Sequence, residues 1–114
     1  KSKLRQIRQE RARQRMMAAV PEADVVITNP THYAIALQYD MEKMIAPTCV
    51  AKGIDGVALR IREVAEENNV PVVENPPLAR ALHESMDIED TIPNEHFKAV
   101  AEIISFIFKQ KGKM

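Results

Sequence analysis

With 114 residues, 46% hydrophobic and 28% charged, the chain can build one small domain around a single core, and not two. An aromatic share of 4% and the lack of Trp leave Ile, Val, Leu, Ala and Met to fill that core. The formal net charge of zero conceals an asymmetry. Lys1, Lys3, Arg5, Arg8, Arg11, Arg13 and Arg15 are answered only by Glu10, so a basic arm precedes an acidic domain.

In chain order, residues 1–20 hold good helix formers but only a thin apolar stripe of Leu4, Ile7, Met16, Met17 and Val20. They predict a helix where the segment meets the domain, frayed or solvated before that. Lys1 falls inside this stretch, so the chain is expected to be a piece of something longer. Pro21 ends the helix, and residues 21–114 form the globular part. Residues 23–28, ADVVIT, read as a strand buried on both faces. An Asn-Pro turn follows, then a second strand over 32–40, a connector, and a third strand over 48–53 closed by Gly53.

Residues 54–69 carry the clearest helical period, with Ile54, Val57, Ala58, Ile61, Val64 and Ala65 on one face and Arg62 four residues from Glu66 on the other. A fourth strand is predicted over 70–74. A short helix opens at the Pro76-Pro77 pair, and a last helix begins after Pro93 and ends in Lys109, Lys111 and Lys113. Because a helix joins the third and fourth strands, those two should run parallel. The expected architecture is α/β: a small four-stranded mixed sheet flanked by about four helices. The longest apolar run near the end is too short to span a bilayer.

The chemistry is concentrated in Thr28-Asn29-Pro30-Thr31-His32. An Asn side chain ordinarily suffers attack by the next backbone nitrogen, which closes a succinimide. Before proline that nitrogen carries no hydrogen, and the route is shut. The reverse polarity stays open: the Asn29 side-chain nitrogen attacks its own main-chain carbonyl, a five-membered ring closes, and the Asn29–Pro30 bond breaks. Proline also drives the preceding residue toward extended geometry, so a tight turn can preset the attack. A ten-thousandfold acceleration needs about 5–6 kcal/mol off the barrier, and one well-placed donor to the developing oxyanion supplies about 3–4 kcal/mol. Folding and cutting should therefore be coupled. His32 has two readings, proton exchange with the amide or the departing proline nitrogen, and a strand residue packed on its neighbours. Thr31 reads as a turn former. Asn-Pro-Thr is not a glycosylation site, because proline occupies the middle position.

Other candidates are weaker. The single Cys49 excludes an internal disulfide and reads as a small buried apolar residue in a reducing compartment. His83 and His96 sit on predicted helices with no partner at metal-ligand spacing, so they read as surface or packing residues. No cofactor or metal is expected.

The stretch VVITNPTHYAIALQYD, followed by VAKG, IRE, VPVVENPPLARAL and AVAEII, resembles the cytoplasmic domain of the FlhB/YscU family. These are substrate-specificity switch proteins of bacterial type III export. The resemblance runs from Arg15 almost to the end, and YAIALQYD is more similar to the flagellar branch than to the injectisome branch. It implies cleavage between Asn29 and Pro30 in a loop between the first two strands. It further implies a switch of export from rod- and hook-type to filament-type substrates under a secreted hook-length control protein.

The partners implied are other export-gate membrane proteins, secreted substrates with their chaperones, and the chain's own membrane domain. The place implied is the cytoplasmic face of the bacterial inner membrane, with the basic arm as a linker near anionic lipid. Cleavage of this kind is single-turnover, so no enzyme in the usual sense is expected. Nucleic-acid binding through residues 1–15 is disfavoured by the acidic domain and its few aromatics. A docking module with an inert turn differs in one respect: its chain stays whole.

Overall fold

The structure, a computed structural model, describes residues 2–30 and 32–112. Helix α1 (Ser2–Ala19) passes through a short 3-10 turn (Val20–Glu22) into strand β1 (Val25–Asn29). Strands β2 (Tyr33–Gln38) and β3 (Thr48–Ile54) follow, then helix α2 (Asp55–Glu67) and strand β4 (Val72–Glu74). Helices α3 (Pro76–Ser85) and α4 (Asn94–Gln110) complete the chain.

The sheet order is β3-β2-β1-β4. Strand β1 is antiparallel to β2, from Val25 opposite Leu37 to Asn29 opposite Tyr33, and parallel to β4 through Val26–Val72, Ile27–Val73 and Thr28–Glu74. Strand β2 is antiparallel to β3, with a bulge between Ala36 and Leu37. The mixed four-stranded α/β sheet is as expected. Strands β3 and β4 do run in the same direction, but on opposite edges; β4 completes the sheet beside β1.

Alternation along the strands sorts the core onto the two faces. Val25, Ile27, Ile35, Leu37 and Cys49 pack with Leu78 and Leu82 of α3, with Met86 just after it, and with Val100, Ile104 and Phe108 of α4. Val26, Ala34, Ala36 and Ala51 face the other way, onto Met16, Val20, Ala58, Ile61 and Ala65. Three alanines on this second face leave room for α2 to lie close. Strand β1 is thus central in the sheet and buried on both sides, with Val25, Val26 and Ile27 fully inaccessible.

Several boundaries differ from those expected. Strand β1 starts and ends later than residues 23–28, because Asp24 caps the neighbouring strand end, its carboxylate accepting the Tyr39 N–H at 2.7 Å. Strand β2 covers less than 32–40, and His32 belongs to the turn. Ile54 is not on the apolar face of α2. It ends β3 and is 50% exposed, because the chain turns sharply at Asp55, where φ is +47°. Strand β4 is shorter than 70–74 because Pro71 has no N–H to give the ladder, while Val70 still packs beneath α2.

Helix α1 continues through the whole basic stretch and is exposed from Lys3 to Arg15, the solvated of the two states expected for it. Helix α4 stops at Gln110, with the Lys111 N–H capping the Ile107 carbonyl at 3.0 Å; Lys113 lies outside the described residues. No helix among the described residues is long and apolar enough to cross a membrane.

Candidate functional site at the first hairpin

Asn29 is the last residue of β1 and Tyr33 the first of β2, and the two are paired in register. Pro30 opens the turn between them. Pro30 enforces an extended predecessor, which is why the ladder reaches Asn29. Within the turn the His32 N–H donates to the Asn29 carbonyl oxygen at 2.9 Å. That oxygen belongs to the Asn29–Pro30 peptide bond. A donor there polarises the carbonyl carbon and meets the negative charge that an attack on it would create. Asn29 and Pro30 are half-buried and His32 is exposed. Thr31, expected as a turn former, lies outside the described residues.

The turn is held from both sides. Before it, buried Thr28 offers its carbonyl to the Asn75 N–H at 2.9 Å, and the Asn75 side chain caps α3 by accepting from the Leu78 N–H at 3.3 Å. After it, the His32 carbonyl accepts from the Asp55 N–H at 3.0 Å, tying the turn to the β3–α2 junction. The His32 ring approaches the same residue, with Nδ1 3.5 Å from Asp55 Oδ1. Gly53 is needed at this junction, since a Cβ there would overlap the Val57 side chain and lie 3.3 Å from its backbone carbon. The structure places Asn29, Pro30 and His32 at one turn and adds Asp55, which the sequence reading did not name. The signal was the Asp55-Gly56 pair, a turn dipeptide at the head of a helical pattern.

Other titratable candidates have structural explanations. The His83 ring lies against Tyr33, with centroids 5.0 Å apart and planes at 51°. Partial burial first, and the Lys52 charge second, hold His83 below its usual range. Lys52 donates to the His83 carbonyl at 3.1 Å and pairs with Asp87 at 3.6 Å, joining β3 to the end of α3. His96 is half-buried, 3.9 Å from Glu95. Cys49 is fully buried, and desolvation pushes its thiol up to about 11, so it is neutral and unreactive at ordinary pH. Among the described residues no group of three or more His, Cys, Asp or Glu is placed to hold a metal ion.

The sequence matches the FlhB HrpN YscU SpaS family over residues 1–107. It is 56% identical, over all 114 residues, to the flagellar biosynthetic protein FlhB of Bacillus subtilis, and spans 32% of that protein. The fold is similar to the crystal structure of the cytoplasmic domain of FlhB from Shewanella putrefaciens, with TM-score 0.81 and 46% identity over 88% of this chain and 80% of that one. It is also similar to the EscU C-terminal domain carrying an Asn-to-Ala mutation, with TM-score 0.78 and 32% identity over 81% of this chain and 92% of that one.

Proposed function

The chain belongs to the FlhB HrpN YscU SpaS family, and from that premise we propose that it is the cytoplasmic domain of a flagellar export protein that cuts itself between Asn29 and Pro30. The Asn29 side-chain nitrogen attacks the Asn29 carbonyl carbon, and the bond from that carbon to the Pro30 nitrogen breaks. One proton leaves the attacking amide and one arrives on the proline nitrogen, directly or through His32. The products are a chain ending in an Asn29 succinimide and a chain beginning with the secondary amine of Pro30. The nucleophile is consumed, so each molecule reacts once.

The observation that carries this reading is the His32 N–H seated 2.9 Å from the Asn29 carbonyl oxygen. A preset donor at that atom is what an oxyanion forming there requires, and it is worth about 3–4 kcal/mol of the barrier. Pro30 supports the reading from the other side, since it removes the competing succinimide route.

Cutting here leaves residues up to Asn29 attached through β1, which is flanked by β2 and β4 and buried on both faces. The cut frees the end of one strand without opening the core. It is this local release that switches export from rod- and hook-type to filament-type substrates, in contact with other export-gate proteins, secreted substrates, their chaperones and a hook-length control protein. Residues 1–20 serve as the basic linker from a membrane domain, beside anionic lipid on the cytoplasmic face of the inner membrane.

Intact mass of the freshly made protein under denaturing conditions, beside Asn29→Ala, tests the chemistry. Two chains from the wild type, one ending at Asn29 and one starting at Pro30, with the variant whole, are expected. A wild type that stays whole after long incubation overturns the reading.

A further inference from the structure

Asp55 combines three features at one residue. It holds a left-handed backbone, with φ +47°, although it is not glycine. Its N–H is bonded to the His32 carbonyl at 3.0 Å. Its carboxylate faces His32 Nδ1 at 3.5 Å. Glycine satisfies a left-handed position with least strain, and asparagine tolerates it well. The carboxylate is therefore not what this backbone demands. Nor does the pair serve the stability of the domain, because its side chains are 65% and 72% exposed and such contacts contribute little.

We infer that Asp55 is a positioning residue for cleavage at Asn29–Pro30, acting through the His32 imidazole; the inference rests on the self-cleavage proposed above. The backbone bond fixes the β3–α2 junction against the turn, and the carboxylate, facing Nδ1 at 3.5 Å, favours the ring form that keeps its proton on Nδ1. With Nδ1 protonated, the lone pair of the neutral ring sits on Nε2. That nitrogen takes a proton from the Asn29 amide as its nitrogen bonds to the carbonyl carbon. It returns the proton to the Pro30 nitrogen as the carbon–nitrogen bond breaks. Between the two transfers the ring is an imidazolium, and the Asp55 charge stabilises it. This is the role a buried carboxylate plays beside a catalytic histidine elsewhere, here in weakened, solvent-exposed form. The residue links the turn to a segment more than twenty positions away, so the cleavage turn is complete only when β3 and α2 have folded.

The test is a pulse-chase of newly made chain, resolved under denaturing conditions, for wild type, Asp55→Gly, Asp55→Asn, His32→Ala and the Asp55→Gly/His32→Ala double variant. Asp55→Gly keeps or eases the left-handed backbone, so its thermal midpoint should hold or rise while cleavage slows about two- to fivefold, the scale of one exposed charge contact. Asp55→Asn should also slow, since it preserves shape and loses charge. In the His32→Ala background, Asp55→Gly should change nothing further. In uncleavable Asn29→Ala protein, side-chain nitrogen NMR should show His32 carrying its proton on Nδ1, and Asp55→Gly should lose that preference.

Equal rates for wild type and Asp55→Gly overturn the inference while leaving self-cleavage intact. So does an Asp55 effect that persists undiminished without the His32 ring. A wild type that never cuts removes self-cleavage itself, and this role with it.

Discussion

Strand β1 and the turn it runs into are adjacent in sequence and opposite in restraint. Val25, Val26 and Ile27 are fully buried and packed into the two layers of the core, and Val26 and Ile27 are paired on both edges. Three residues past Ile27, Pro30 is half-buried, and His32 beyond it is open to solvent. Burial dominates the energy of the first region, while a few backbone hydrogen bonds shape the second. A peptide bond at their junction can thus be strained, polarised or broken at small cost to the fold. The bond proposed to react sits where stability has stopped depending on chain continuity.

Damage on the turn side should appear in rate and not in stability. His32→Ala should slow cleavage about 10²- to 10⁴-fold, the range of one acid–base group, with the thermal midpoint nearly unchanged. A matching loss of both would show that the turn is part of the core after all. Damage on the strand side should do the reverse. Ile27→Ala should cost about 2–5 kcal/mol, and in cut protein it should let the two pieces separate at lower denaturant. Without that change, the pieces of the wild type should co-elute in native buffer and part only on unfolding.

Gly53→Ala falls between these, because the new methyl would push the stiff Val57 side chain and α2 away from β3. About 1–3 kcal/mol of stability should be lost, with some slowing of cleavage through the displaced Asp55. Two titrations read the core. Cys49 has its pKa raised from 9.0 to about 11, so the stability linked to its neutral thiol is complete below pH 9 and fades as pH rises toward 11. His83 is shifted down, so its contribution is complete above 6.5 and is lost as pH falls below that value. Melting curves across both windows check the signs. Smallest of all, Arg62→Ala removes a 3.0 Å pair with Glu66 on the exposed face of α2 and should cost under about 0.5 kcal/mol.

The bond proposed to react could be named from the sequence because the chemistry proposed for it is local. An amide side chain and a nitrogen without hydrogen need nothing but adjacency to exclude one reaction and leave another. The alternating strands and the 3.6-residue period of α2 were equally plain, since burial repeats at those spacings whatever the topology. Cys49 was legible as a core residue for the same reason. The ends of these elements were not. Ile54 fits the apolar face of a helix by spacing alone, and only the left-handed Asp55 places it in the sheet.

The sequence by itself thus determined the mixed α/β class and the identity of most core residues, and it singled out the bond proposed to react. Tertiary structure decided that β4 lies beside β1, which makes β1 a central strand able to hold its piece after a cut. It also decided that Asp55 meets His32. Both are contacts between segments far apart in the chain. They depend on how strands order themselves and where a helix begins, and neither is encoded in the spacing of any one segment.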